Sequence, residues 1–132
     1  MDTPLRNRAT GAGAPLKRSV DDLLPLTHVV YHLLLSLSQA TRHGYGIIKD
    51  VSERTGGRLE LEAGTLYAAI KRLRDDGLIT ETEGPRDADA RRRYYDLTPL
   101  GRRVLRAESE RLEELVDLAR RARVLPGSEG RA

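Results

Sequence analysis

The chain has 132 residues and carries 23 Lys and Arg against 20 Asp and Glu, a formal net charge of +3. This length predicts one domain with one modest core, and a charge balance this close to even does not by itself indicate a polyanionic partner. The lack of cysteine excludes disulfide scaffolds and thiolate metal sites. Because no signal sequence and no bilayer-length apolar run stand out, we expect a cytoplasmic protein without a membrane partner.

The N-terminal segment, residues 1–22, combines glycine, proline and scattered cations without apolar periodicity. Such a segment buries too little apolar surface to offset the entropy cost of ordering. It is therefore predicted to be a flexible arm. Whether this arm contacts a partner or is unselected terminal sequence stays open.

Two helices are predicted next. The first runs from an N-cap at Thr27 to about Ser38 and is apolar nearly all round, which is typical of a helix enclosed by other elements. The second begins near Gly44 and ends at a pair of glycines, which favour a helix C-terminus. Three-residue spacing predicts an apolar face on this second helix, formed by Tyr45, Ile48 and Val51.

A third helix is predicted from about Ala63 to Asp76 and is ended by Gly77. Leu66, Ile70 and Leu73 form its apolar stripe. The remaining surface carries small and polar side chains, so one face of this helix is expected to be slim and exposed. Residues of interest on that surface are Gly64, Thr65, Ala68, Lys71 and Arg72.

Residues 78–97 predict a β-hairpin, with a run of alternating Thr and Glu, a polar turn and a return strand that contains two adjacent tyrosines. Because side chains alternate across a strand, Tyr95 and Leu97 are expected to pack inward. The same alternation predicts that Tyr94 and Arg92 lie on the outer face.

A last helix is predicted over residues 99–124, with Thr98 as N-cap and Pro99 at the first helical position, followed by a disordered tail over 125–132. It is long for so small a domain, and its apolar residues recur at three- and four-residue steps, a pattern typical of a helix that pairs with another helix. The residues predicted to mediate dimerisation are Leu105, Leu112, Leu115, Val116, Ala119 and Ala122.

Three helices followed by a hairpin, over residues 23–98, is the order of a winged helix-turn-helix domain. The predicted fold class is therefore mainly α with a small β-hairpin. The slim face of the third helix suits a major groove about 12 Å wide, and a basic hairpin beside it suits the flanking phosphates. These features predict double-stranded DNA as the partner, contacted by Tyr45, Gly64, Thr65, Ala68, Lys71, Arg72, Arg91, Arg92 and Arg93.

Three segments, HGYGIIKDVSERTGG, EAGTLYAAIKRLRDDGLI and RRRYYDLTPLGRRVL, resemble the PadR family of winged-helix transcriptional regulators over about residues 26–123. The resemblance implies a homodimeric repressor of a palindromic operator, with the C-terminal helix as the dimerisation element. A single C-terminal helix is similar to the short type of this family, and the lack of Trp and Phe argues against an aromatic ligand pocket. Whether a small-molecule inducer exists stays open. By position, the resemblance implies DNA-facing roles for Tyr45, Thr65, Tyr67, Lys71, Arg92 and Arg93.

Two other classes of function compete with DNA binding. His28 and His32 have the four-residue spacing of zinc ligands on a helix, but Val29 stands where a metalloprotease motif has glutamate. We therefore expect neither an enzyme nor a metal or cofactor site. A protein-binding adaptor would pair its last helix with a different partner and would be a monomer in isolation, whereas a regulator would be a two-fold dimer.

Overall fold

The computed structural model describes residues 19–86, 89 and 91–127, and these form four α-helices and a small antiparallel sheet. The predicted class, mainly α with a β-hairpin, is confirmed. A short 3-10 turn, Asp21–Leu23, precedes the first helix. The elements that follow are α1 His28–Gln39, β1 Arg42–His43, α2 Gly44–Arg54, α3 Ala63–Asp75, β2 Ile79–Thr82, β3 Tyr94–Leu97 and α4 Pro99–Arg121.

The helix boundaries follow local signals in the sequence. Thr27 caps α1 by accepting a hydrogen bond from the backbone N–H of Val30 at 3.1 Å, and Thr98 caps α4 by accepting from Gly101 at 3.0 Å. The glycines predicted to end α2 and α3 have positive φ. The last helix ends three residues earlier than the predicted Val124, because Arg123 takes a left-handed φ of 64°.

The sheet has the strand order β1-β3-β2, so β3 is its central strand. We call β2, β3 and the segment between them the wing. Strand β1 was not predicted, since two residues are too short to show alternation and their partners are more than fifty residues away. Arg42 holds β1 in place, because its Nε donates to the carbonyl of Ser36 in α1 at 3.1 Å and its guanidinium lies 3.4 Å from Asp50 in α2.

The extra strand corrects the predicted faces of the wing. Tyr95 and Leu97 are buried as expected, but Tyr94 is buried as well, at 8% exposure. Its ring packs edge-on against His43, the cross-strand neighbour in β1, with a centroid distance of 5.2 Å. On the other side the ring lies against the backbone at Gly84, where a Cβ atom would overlap it. Both tyrosines therefore anchor the wing.

The core is built around α1 and receives side chains from every other helix. The apolar face predicted for α2 is partly wrong: Ile47 and Val51 are fully buried, whereas Tyr45 is 65% exposed. The buried face of this helix is formed by Gly44, Ile47 and Val51, and the predicted Ile48 packs partly against the core. The buried core residues are Leu33, Leu34, Leu37, Ile47, Val51, Leu61, Leu66, Ile70, Leu73, Leu78, Ile79, Tyr95, Leu97, Val104 and Leu105.

Residues 19–22, which the prediction places in the N-terminal arm, have defined contacts. Residues 1–18 lie outside the described residues, but Ser19 and Asp22 exchange hydrogen bonds across the 3-10 turn at 3.2 and 3.3 Å. Val20 and Leu23 pack against the core. Residues 19–22 therefore belong with the folded part of the chain that the structure describes.

Helix α4 divides into a buried half and an exposed half. Leu105 lies in the core of its own chain at 8% exposure, which corrects its assignment to the dimer surface. Beyond it, Leu115, Val116 and Leu118 are 48%, 38% and 51% exposed. Leu118 was missing from the predicted stripe. Of the other predicted dimerisation residues, Leu112 and Ala119 are half-buried and Ala122 is exposed.

Glu108 joins α4 to the segment that leads into α1. The carboxylate is 1% exposed, accepts the backbone N–H of Leu26 at 3.0 Å, and receives two hydrogen bonds from Arg111 at 2.6 and 3.0 Å. The bonds from Arg111 lower the pKa of Glu108 below its ordinary value of 4.5 despite the opposing effect of burial, and the Leu26 N–H lowers the pKa further. The carboxylate is therefore charged at neutral pH.

We expect Glu108→Gln to lower the free energy of unfolding by about 2 kcal/mol at pH 7, because Arg111 loses its charged partner. Because the pKa of Glu108 is lower in the folded state than in the unfolded state, its carboxylate stabilises the fold above pH 4.5. This stabilisation is lost as the pH falls through the folded-state pKa. Urea unfolding at several pH values should therefore show the two proteins converging below pH 4.5. A difference that stays constant down to pH 3 would contradict this role of Glu108.

Candidate DNA-binding surface

One side of α3 is free of contacts with the core. Leu66, Ile70 and Leu73 are 0–3% exposed and point inward. With 3.6 residues per turn, Gly64, Ala68, Lys71 and Asp75 lie on the opposite side, and all four are exposed. A Cβ atom at Gly64 would meet no other atom within 4 Å, so the start of α3 is open and slim. This geometry suits insertion between two DNA backbones.

A cleft of about 500 Å³ lies where α2, α3 and the wing meet. Residues from distant parts of the sequence share this cleft because β1, which leads directly into α2, pairs with β3 of the wing. Five of the predicted DNA-contacting residues come together here. The lining residues are His43, Gly44, Tyr45, Tyr67, Arg91, Arg92, Arg93 and Tyr95.

Two tyrosines present their side chains at the cleft. Tyr45 is 65% exposed and Tyr67 is 48% exposed, although both carry large rings. The Tyr67 hydroxyl lies directly over Gly44 at the start of α2, at a place that a Cβ atom would occupy. Glycine at this position therefore lets a side chain of α3 approach the first turn of α2, and both hydroxyls are available as hydrogen-bond donors.

The wing arginines are exposed and two of them have partners within the wing. Arg91 lies 3.4 Å from Asp89, and Arg93 lies 3.3 Å from Glu81. Exposed ion pairs of this kind are worth about 0–1 kcal/mol, so these arginines can exchange their partners for phosphates at little cost. The guanidinium of Arg92 contacts the imidazole of His43 instead, with Nη1 2.8 Å from Nε2.

Other predicted residues lie away from the cleft. Lys71 forms an exposed ion pair with Asp75 at 3.2 Å on the outer face of α3. Thr65 is exposed on the far flank of the helix, and Arg72 lines a separate cleft of about 310 Å³ beside Asp22 and Pro25. Lys71 instead lines a separate cleft of about 480 Å³ with Thr80 and Glu81 of β2, whereas Arg72 faces the segment that precedes α1.

His43 was not predicted to belong to this surface. It caps α2, since its Nδ1 accepts the backbone N–H of Gly46 at 3.0 Å. Burial lowers the pKa of His43 below its ordinary value of 6.5, and the charge of Arg92 lowers it further, so the ring is neutral at pH 7. A histidine immediately before a predicted helix was the signal available in the sequence, because the N-cap residue supplies an acceptor to that helix.

The two histidines of α1 contact one another. The rings of His28 and His32 meet edge to face, with centroids 4.7 Å apart. Across residues 19–86, 89 and 91–127, no group of three or more His, Cys, Asp or Glu side chains is arranged to hold a metal ion. Within the same ranges, none of the helices combines the length and the apolar character that crossing a bilayer demands.

Comparison with known proteins agrees with this arrangement. The model of the transcriptional regulator PadR-like family matches residues 33–107. A transcriptional regulator of Mycobacterium tuberculosis is 37% identical over 84 residues, which cover 64% of this chain and 75% of that protein.

Solved structures show the same architecture. A PadR family transcription regulator from Clostridium difficile superimposes with a TM-score of 0.63 at 26% identity, covering 72% of this chain and 97% of that one. Bacillus subtilis PadR, solved in complex with operator DNA, gives a TM-score of 0.54 at 25% identity, covering 61% of this chain and 46% of that one. With its family match, its sequence relatives and its winged fold in agreement, this chain belongs to the PadR-like family of transcriptional regulators.

Proposed function

We propose that the protein is a homodimeric repressor that binds a palindromic DNA operator. In this proposal α3 enters the major groove and the arginines of the wing contact the flanking phosphates. The exposed half of α4 pairs with the same helix of a second copy. Such a dimer presents its two recognition helices about 34 Å apart, one turn of DNA, which is why the operator is expected to be a palindrome.

The observation that carries this proposal is the cleft between α2, α3 and the wing. It brings two exposed tyrosines and three exposed arginines to one side of the domain, next to the slim face of α3. Hydroxyl and guanidinium groups are typical phosphate ligands, and a slim helix beside them can reach base edges. The complex of Bacillus subtilis PadR with operator DNA supports the same use of this fold.

The exposed half of α4 supports the dimer. Leu115, Val116 and Leu118 are 38–51% exposed in the single chain. Adjacent exposed apolar residues on a long helix favour burial against another helix. A second copy of the protein presents the same apolar residues on its own α4. The two helices can therefore pair with each other across a two-fold axis.

The contribution of the wing can be tested through salt dependence. We expect Arg91→Ala/Arg93→Ala to weaken binding to every duplex, since interactions with phosphates carry no sequence information. The slope of log Kd against log salt should fall by about 1 for each phosphate that the variant no longer neutralises. Fluorescence anisotropy with a duplex selected from a random pool by the wild-type protein measures both quantities.

A matched control is available on α4. Arg106 and Arg121 are also exposed and also form ion pairs, with Glu110 and Asp117. Both arginines pair with carboxylates of their own helix, so Arg106→Ala/Arg121→Ala should remove the same charge with little change in the salt slope, provided that light scattering gives the same mass as for the wild type. A salt slope that is equal in the wild type and the wing variant would exclude phosphate contacts by Arg91 and Arg93.

The adaptor hypothesis makes a different prediction from the same helix. An adaptor that pairs α4 with an unrelated protein would be a monomer in isolation and would show no preference among DNA sequences. Light scattering of the purified chain, together with selection from a random duplex pool, separates the two functions. A dimer that enriches a palindrome supports the regulator.

A further inference from the structure

The imidazole of His43 lies between two hydrogen-bond donors. On one side the backbone N–H of Gly46 points at Nδ1 from 3.0 Å. On the other side Nη1 of Arg92 lies 2.8 Å from Nε2. Both distances are within hydrogen-bond range. The two groups that face the ring, the backbone N–H of Gly46 and the guanidinium of Arg92, can donate hydrogen bonds but cannot accept them.

A histidine side chain cannot accept at both positions. A neutral imidazole has one nitrogen that accepts and one that carries a proton, and the protonated ring has two donors and no acceptor. Since Nδ1 accepts from Gly46, the proton of the neutral ring is on Nε2. The Nε2–H and the guanidinium of Arg92 then meet as two donors without an acceptor between them, and the opposite tautomer moves the same conflict to Gly46.

The ring has little freedom to avoid this conflict by turning. It stacks parallel to the ring of Tyr45 with an interplanar angle of 8° and a centroid distance of 6.4 Å, and it meets Tyr94 edge-on at 5.2 Å. The cap bond to Gly46 and the pairing of β1 with β3 fix the backbone on both sides. The Nε2 edge is therefore held at the cleft.

We propose that His43 and Arg92 together bind one non-bridging phosphate oxygen of the DNA backbone, which accepts hydrogen bonds from Nε2–H and from the guanidinium. This inference rests on the proposed DNA-binding function and adds His43 as a direct DNA contact. One anionic oxygen near the two groups replaces a donor–donor contact by two charge-assisted hydrogen bonds. DNA binding thereby gives the Nε2–H of His43 an anionic acceptor in place of its contact with the Arg92 guanidinium.

A phosphate suits this position better than a base edge. The cleft lies at the root of the wing and the start of α2, whereas the slim face of α3 that suits the major groove is formed by Gly64, Ala68 and Lys71. Arg91 and Arg93 lie within the same cleft and favour an anion there. Contacts of this kind fix the register of a protein on the duplex.

The test separates the two functions of His43. His43→Asn keeps a side-chain oxygen that can cap α2 but removes the Nε2–H, whereas His43→Ala removes both. We expect His43→Asn to unfold within a few degrees of the wild type and to lose about tenfold in DNA affinity per subunit, as for one hydrogen bond to a charged group. The probe is a duplex selected from a random pool by the wild-type protein.

The phosphate itself is identified by replacing single backbone phosphates of that duplex with uncharged methylphosphonates. At one position in each half-site, the methylphosphonate should strongly lower the affinity of the wild-type protein for the duplex. The same replacement should lower the affinity of His43→Asn much less. Arg92→Ala should show the same insensitivity at the same position, and the double variant should lose less than the product of the two single losses. A variant His43→Asn that binds as tightly as the wild type would overturn the inference and leave the proposed function intact.

A spectroscopic measurement covers the case in which the variants fold poorly. The nitrogen chemical shifts of ¹⁵N-labelled histidine report which ring nitrogen carries the proton. In the wild-type complex with DNA at pH 7.5, His43 should carry its proton on Nε2, and the opposite tautomer would overturn the inference. If the wild type selects no duplex at all, the proposed function and this inference are both excluded.

Discussion

Leu115→Glu/Leu118→Glu is expected to convert the proposed dimer into a monomer and to weaken operator binding at least a hundredfold. The two side chains are 48% and 51% exposed in the single chain, so glutamates there do not disturb the core of the domain. In a two-fold helix pair the same positions bring four carboxylates into an apolar seam, where unpaired charges are strongly unfavourable. Without the dimer, each half-site is bound alone and the gain of about 10² or more from two linked sites is lost.

The matched control for this substitution is Leu115→Met/Leu118→Met. Methionine keeps the apolar character and nearly the volume of leucine, so the dimer should persist. Light scattering gives the mass of each protein, and fluorescence anisotropy gives the affinity for the selected duplex. A glutamate variant that remains a dimer would move the interface away from the exposed half of α4.

Gly101→Ala should have the largest effect on stability, a loss of more than about 3 kcal/mol. A Cβ atom at this position would overlap the backbone carbonyl oxygen of Leu78 and would lie 3.0 Å from a methyl group of Leu97. Backbone atoms cannot turn away as a flexible side chain can. The start of α4 would have to separate from the turn after α3, where Thr98 donates to the carbonyl of Gly77 at 2.6 Å.

A second glycine near a helix start provides the control. Gly64 is the second residue of α3 and Gly101 is the third residue of α4, so both lie in the first turn of their helices. A Cβ atom at Gly64, however, would meet no atom within 4 Å. Gly64→Ala should therefore leave the free energy of unfolding unchanged or raise it by up to about 1 kcal/mol, since alanine favours the helix. Urea unfolding at one fixed protein concentration compares both variants with the wild type. Equal stability of Gly101→Ala and the wild type would contradict the close approach of α4 to Leu78.

Local signals explain which parts of this fold the sequence predicts well. A helix end depends on a few neighbouring residues, such as Thr27, Thr98 and Gly77, so its position can be read from the chain itself. Apolar spacing at three- and four-residue steps likewise identified the buried stripe of α3. These signals act within one or two turns of a helix, and the structure agrees with them closely.

Features that depend on distant contacts were not predictable in the same way. Strand β1 exists because of its pairing with β3, and this pairing buries Tyr94, which alternation alone puts on the outer face. Glu108 looks like a surface residue of a charged helix, yet Leu26, far away in the sequence, supplies the hydrogen bond that helps to bury it. The proposed phosphate contact of His43 likewise depends on Arg92, which lies 49 residues away in the sequence.

The position of β3 in the middle of its sheet has a consequence for the shape of the duplex. Because β1 continues directly into α2 and is paired to the same strand as β2, the root of the wing and the first turn of α2 behave as a rigid joint. The angle between the wing and the first turn of α2 is thus set by the sheet of the protein itself. In the proposed complex the duplex therefore has to adjust to the protein, so easily deformed base steps at the ends of the operator should be favoured even where no side chain touches the bases.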